Sequence, residues 1–141
     1  MARTFSKAYA LAGLRVGYLV ADPDVIGIIE RLRESFNVNG LALAAAEAAL
    51  SDQAYLERVR NWTRAEREWL RAGLVQRGYR VLPSQTNFLL VDLGTDASAL
   101  QAHLFGQGVI VRPMDGYGLG NTIRISLGTR AENEQLLAAL P

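Results

Sequence analysis

From residue 51 onward the sequence alternates between helical and strand periodicity, and the order of those patterns constrains the fold more than any other feature. Ser51-Asp52 offers a cap for a long helix over about 53–77, with Leu56, Val59, Trp62, Trp69, Leu70 and Leu74 as its buried side. Gly78 is placed to stop it. Two strand-like runs follow, Tyr79–Leu82 and Asn87–Asp92, separated by Pro83-Ser84-Gln85-Thr86. Ala97–Phe105 then reads as a short helix, Gly108–Arg112 and Thr122–Leu127 as strands, and Arg130–Leu140 as a closing helix. Helix, strand, strand, helix, strand, strand, helix predicts an α/β unit in which helices cover a sheet.

The stretch before residue 51 reads differently. Val16–Ala21 is an apolar run expected to form a buried strand. Asp22 can cap a helix with Pro23 at its first position, and Val25, Ile28, Ile29 and Leu32 then form an apolar stripe expected to pack on a sheet. Phe36-Asn37-Val38-Asn39-Gly40 breaks the pattern. The alanine-rich run Leu41–Leu50 predicts a buried helix that packs closely.

Composition narrows the function class. The net charge of +1 gives no electrostatic argument for nucleic acid. Arg58, Arg60, Arg64, Arg67 and Arg71 would suit a nucleic-acid helix, but Glu57, Glu66 and Glu68 are interleaved. A solvated, salt-bridged face with an Arg64–Glu68 pair is the expectation. With no cysteine there is no disulfide framework and no thiolate metal site. No apolar run has the length of a membrane span. His103, the sole histidine, has no neighbouring nucleophile or ligand set and reads as a surface or packing residue.

Two groups of residues carry chemistry. Of the 15 basic side chains, Lys7 alone is lysine, and it sits in Thr4-Phe5-Ser6-Lys7 with Arg15 eight residues on. Such an amine can form a Schiff base with an aldehyde cofactor while Thr4, Ser6 and Arg15 hold that cofactor's phosphate, arginine through two parallel donors. An arginine-biased composition that leaves one lysine by accident is the competing reading. The second group is Arg112 and Arg124, each in or at the end of an apolar strand. A guanidinium there needs a partner. A structural carboxylate of the chain and a bound substrate anion both qualify.

The run Thr-Phe-Ser-Lys-Ala-Tyr-Ala-Leu-Ala-Gly-Leu-Arg-Val-Gly-Tyr over residues 4–18 resembles the cofactor-lysine segment of fold-type I pyridoxal-phosphate aminotransferases, and among them is most similar to the histidinol-phosphate aminotransferases. The resemblance covers essentially the whole chain but only the C-terminal part of such enzymes, so the chain is expected to be a fragment, inactive alone. It implies the end of the large cofactor-binding domain over 1–50 and the small C-terminal α/β domain over 51–141. It implies pyridoxal 5′-phosphate as cofactor, Lys7 as catalytic residue, and Thr4, Ser6, Lys7 and Arg15 as cofactor-binding. Arg112 and Arg124 would receive the anionic end of histidinol phosphate or of glutamate and 2-oxoglutarate in a ping-pong transamination. A cytoplasmic homodimer of histidine biosynthesis, binding neither nucleic acid nor membrane, is implied as well. Related aminotransferases and a phosphothreonine decarboxylase share the scaffold and stay open as alternatives. Asp115-Gly116-Tyr117-Gly118-Leu119-Gly120 resembles the family's loop between the two arginines, with Gly120 in place of a proline, a change expected to loosen it.

Overall fold

The computed structural model describes residues 1–141, which divide into two compact units, Met1–Arg60 and Asn61–Pro141. The first opens on a two-stranded antiparallel hairpin, β1 (Ala2–Thr4) with β2 (Gly17–Leu19), in the register Ala2↔Leu19, Arg3↔Tyr18 and Thr4↔Gly17. The expected buried strand over Val16–Ala21 is corrected by this geometry. Gly17–Leu19 has a single neighbouring strand and stays exposed, and only Val16 is buried. Phe5 and Val16 instead form a small core with Ala42 and Ala46.

Helix α1 (Pro23–Leu32) starts as the sequence predicts, with Pro23 in its first turn and Asp22 Oδ1 accepting the Asp24 N–H at 3.0 Å. Its apolar stripe, however, is not packed on a sheet. No residue of α1 is buried, and Leu32 is 80% exposed. Helix α2 (Gly40–Ser51) is capped by Asn39, whose Oδ1 accepts the Ala42 N–H at 2.8 Å. Only Ala42 and Ala46 are buried on it, so the fully buried alanine helix is also corrected: Leu41 and Leu43 face outward.

The unit boundary falls within helix α3 (Gln53–Gln76), which Asp52 caps through the Tyr55 N–H at 2.9 Å. Gly78, at φ +86°, closes it, with the Gly78 N–H on the Val75 carbonyl and the Tyr79 N–H on the Leu74 carbonyl. The second unit continues with β3 (Arg80–Val81), β4 (Phe88–Asp92), α4 (Ser98–Gly106), β5 (Arg112–Met114), β6 (Leu119–Ser126) and α5 (Arg130–Ala139). The order of elements is the predicted one. The sheet runs β3-β4-β6-β5 with antiparallel neighbours throughout, so β4 and β5 are parallel and β6 lies between them. That is a split β-α-β unit crossing over through α4.

Period-two alternation sorts the sheet's two faces. Leu89, Val91, Ile123 and Ile125 point into a core shared with Leu70, Leu74, Leu104, Leu136 and Leu137. Phe88, Leu90 and Arg124 take the opposite face, and all three are half-buried. Two expectations shift here. The strand predicted over Gly108–Arg112 begins only at Arg112, because the Gly108 and Val109 N–H groups close α4 on the Phe105 and Leu104 carbonyls. Gly120 is not in a loosened loop but within β6, its carbonyl accepting the Ala97 N–H at 3.0 Å.

The charged face of α3 departs from expectation too. Trp62 is 45% exposed, whereas Glu66 and Arg67 are buried. No Arg64–Glu68 pair forms; Arg67 Nε lies 3.7 Å from Glu68 Oε1, and Glu66 pairs with Arg130 of α5. Glu66 accepts two bonds from Arg130, at 3.1 and 2.9 Å, and one from Asn133 Nδ2 at 3.0 Å. Arg130 in turn stacks over Trp69 with Cζ 4.1 Å from the ring centre. The Arg130 hydrogen bonds hold the Glu66 carboxyl below its usual range, outweighing the upward push of burial. A Thr129–Glu132 capping box starts α5. His103 Nε2 lies within hydrogen-bond distance, 2.9 Å, of the Ala139 carbonyl, which accepts.

Candidate active site

In the first unit, the β1–β2 hairpin closes a loop over residues 5–16 and so gathers Thr4, Ser6, Lys7 and Arg15 on one short segment. The hairpin needs glycine at its closing pair: a Cβ on Gly17 would sit 2.7 Å from the Arg3 carbonyl oxygen. Inside the loop, the Phe5 N–H donates to the Val16 carbonyl at 3.2 Å and the Leu11 N–H to the Phe5 carbonyl at 3.0 Å. Phe5 is buried and packs its ring 4.9 Å from Tyr9 and 5.8 Å from Tyr18. A buried aromatic thus anchors the loop, and the polar residues on either side of it are pushed outward.

Thr4 Oγ1 accepts the Ser6 N–H at 3.1 Å, which turns the chain immediately before Lys7. The Lys7 carbonyl accepts the Ala10 N–H at 2.9 Å, closing a second turn behind it. Lys7 is exposed and Ser6 half-buried. Arg15 sits in the left-handed region at φ +54°, with Nη1 donating to the Ala12 carbonyl at 2.7 Å and the rest of its fork free for an anion. Ala10, at φ +58°, is left-handed as well. Two of the chain's three non-glycine residues with positive φ therefore lie in this loop. Such conformers cost about 1–3 kcal/mol each and concentrate at functional sites.

Arg112 and Arg124 lie in the second unit, and the sheet brings them together. They are directly opposite each other in the β5–β6 register. A 3-10 segment over Asp115–Tyr117 with Gly118 at φ +75° turns the chain and pairs Met114 with Leu119, and a register shift between Pro113 and Met114 then brings Arg112 opposite Arg124. Neither arginine belongs to any of the ion pairs, and Arg124 Nε is buried without a hydrogen-bond partner. No carboxylate of the chain pairs with either arginine.

Aromatic rings flank the pair, which the sequence reading missed. Arg124 Cζ lies 5.2 Å from the Phe88 ring centre. Arg112 Cζ lies 5.7 Å from that of Tyr117, and its Nη2 donates to Tyr117 Oη at 3.4 Å. The available signal was the alternation of β4, which puts Phe88 two residues from Leu90, the cross-strand partner of Arg124.

The family model for aminotransferases of class I and II matches residues 1–140. A histidinol-phosphate aminotransferase of Pseudomonas fluorescens is 49% identical over 140 residues, and one of Methylococcus capsulatus is 49% identical over 138. These matches take in 99% and 98% of this chain but 38% and 37% of the relatives, so the chain spans well under half the length of the curated proteins it matches. Among solved structures, the histidinol-phosphate aminotransferase of Sinorhizobium meliloti, in complex with pyridoxal-5′-phosphate, superposes with a TM-score of 0.89 at 40% identity, over 99% of this chain and 39% of that one. L-threonine-O-3-phosphate decarboxylase of Porphyromonas gingivalis gives 0.81 at 30% identity, over 99% and 44%. The chain belongs to the class I and II aminotransferase family.

Proposed function

We propose that the chain is the lysine-bearing, C-terminal portion of a pyridoxal-phosphate-dependent histidinol-phosphate aminotransferase. Residues 1–50 would then be the end of the large domain and 51–141 the small one. The observation that carries the reading is the 5–16 loop, which holds the chain's only lysine between hydroxyl donors and a left-handed arginine. Its donor set fits a phosphate-bearing aldehyde. Thr4, Ser6 and Arg15 supply hydroxyl and guanidinium donors for a dianion, and Lys7 supplies the amine. When bound, pyridoxal phosphate contributes an aldehyde and a ring that draws electrons from the reacting carbon. Lys7 Nζ is the group for holding the aldehyde and for carrying a proton at that carbon.

Arg112 and Arg124 would orient substrate by its anionic end. Two adjacent guanidiniums without an internal carboxylate can take a phosphate in one half-reaction and a carboxylate in the other, which supports histidinol phosphate as amino donor and 2-oxoglutarate, converted to glutamate, as acceptor. The similarity to a phosphothreonine decarboxylase supports a second reading on the same anion site. Conversion of 2-oxoglutarate to glutamate against release of carbon dioxide separates the two. A cytoplasmic homodimer working in histidine biosynthesis completes the proposal, and the open apolar stripe of α1 supports burial against a further protein surface there.

The test is borohydride reduction of the chain mixed with pyridoxal phosphate, followed by peptide mapping, with Lys7→Ala as control. Stoichiometric label on Lys7, absent from the variant, is the expected result. Label confined to the N-terminal amine, or equal in both proteins, overturns the assignment.

A further inference from the structure

Side by side on one sheet, two arginines repel. Cross-strand neighbours have Cβ atoms only about 4.5–5.5 Å apart, and like charges placed directly opposite destabilise a sheet. Proteins usually relieve such a clash with a carboxylate. Here each guanidinium lies over an aromatic ring instead, giving a row across the sheet: Phe88, Arg124, Arg112, Tyr117. Phe88 reaches Arg124 from β4 as a diagonal neighbour, its own partner being Ser126. Tyr117 reaches Arg112 from the turn that Gly118 closes.

A ring face and a carboxylate do different things to an arginine. A carboxylate occupies the in-plane N–H donors, the same donors an incoming anion needs, and would have to be displaced at every turnover. A ring face attracts the cation through its quadrupole and does not bond in the guanidinium plane, so the fork stays available. The buried, unpartnered Arg124 Nε fits this arrangement: a donor desolvated in advance and aimed at no internal acceptor.

We propose that Phe88 and Tyr117 are positioning residues for the anion site, which hold Arg124 and Arg112 paired, charged and uncommitted so that phosphate and carboxylate can exchange on them. This rests on the reading of the two arginines as a substrate-anion site. It adds that the aromatic faces set the site's affinity, and that at Tyr117 the ring matters more than the hydroxyl, since the Oη contact is long at 3.4 Å and uses an Arg112 donor.

The experiment is an NMR titration of the ¹⁵N-labelled chain with inorganic phosphate, reading the arginine Nε–Hε signals and the amides of residues 112–114 and 122–126. Wild type should show saturable shifts, and Arg124→Gln should lose them. Phe88→Leu and Tyr117→Leu should each weaken binding about three- to tenfold, because apolar volume is kept while the ring face is lost. Phe88→Tyr and Tyr117→Phe should bind within about twofold of wild type, a rescue by aromaticity that a role in bulk packing would not give. Tyr117 is 64% exposed, so its leucine variant tests the idea even if Phe88→Leu disturbs the fold. If wild type binds and Arg124→Gln does not, while both leucine variants bind within twofold of wild type, the aromatic role is refuted and the arginine site stands. If wild type does not saturate, or Arg124→Gln binds equally well, the anion site fails and this inference fails with it.

Discussion

Removing the Glu66 carboxylate should destabilise the second unit far more than its one ion pair suggests. Glu66 is 6% exposed and accepts three hydrogen bonds, two from Arg130 and one from Asn133. In Glu66→Ala, Asn133, itself 2% exposed, keeps its bond to the Gly128 carbonyl but loses the partner of its other N–H. An unsatisfied buried donor costs about 1–3 kcal/mol. Breaking a fully buried pair costs about 3–5 kcal/mol, yet the Arg130 side chain is 46% exposed and can take up water, so its share falls to about 1 kcal/mol. The total is about 2–4 kcal/mol. For a unit of this size that corresponds to a fall in Tm of roughly 10–25 °C. Glu66→Gln keeps the volume and one acceptor and should lose about half as much.

The same carboxylate sets a pH signature. Its folded pKa lies below the ordinary 4.5, chiefly through the Arg130 hydrogen bonds. It therefore contributes stability that is fully present above about pH 4.5 and is lost as pH falls through the lower folded value. Urea midpoints measured from pH 7 to 3 should drop steeply for wild type below 4.5 and less steeply for Glu66→Gln. A Glu66→Ala protein that unfolds within about 0.5 kcal/mol of wild type, with an unchanged acid limb, would refute the claim that this network clamps α5 to α3.

Other consequences can be checked directly. Leu74→Ala, at a fully buried site, should cost about 2–5 kcal/mol in chemical denaturation, whereas Leu32→Ala on the open stripe of α1 should stay within about 0.5 kcal/mol. Gly73→Ala would set a Cβ 2.6 Å from Leu137 Cδ1, and the displaced leucine should cost about 1–3 kcal/mol, read as a lower Tm. Gly17→Ala should open the β1–β2 hairpin, because backbone and not a movable side chain blocks its Cβ. The amides of residues 2–4 and 17–19 would then lose hydrogen-exchange protection, and reductive labelling of Lys7 would fall to the level of an exposed surface lysine.

Local patterns carried much of the fold. The caps at Asp22 and Asp52, the stop at Gly78 and the order of elements from α3 to α5 depend on residues near one another in sequence, and all were legible there. Thr4, Ser6, Lys7 and Arg15 also lie within a dozen residues of one another in the sequence, on the segment that the β1–β2 hairpin closes and that Phe5 and Val16 pack against Ala42 and Ala46. Other features depended on contacts no local window contains. The stripe of α1 has the periodicity of a buried helix, but periodicity names a face without supplying what covers it, and this face is open. Glu66 and Arg67 look like members of a solvated charge run until α5 and the 83–87 loop supply Arg130, Asn133 and the Thr86 carbonyl. Arg112 and Arg124 are twelve residues apart, and only the β5–β6 pairing, with its register shift between Pro113 and Met114, sets them face to face. The sequence by itself determined which groups were available for chemistry. Tertiary pairing alone decided which of them share a face and which aromatic rings stand where carboxylates could have been, because strand register is set by hydrogen bonds and turns between segments and not by the composition of any one of them.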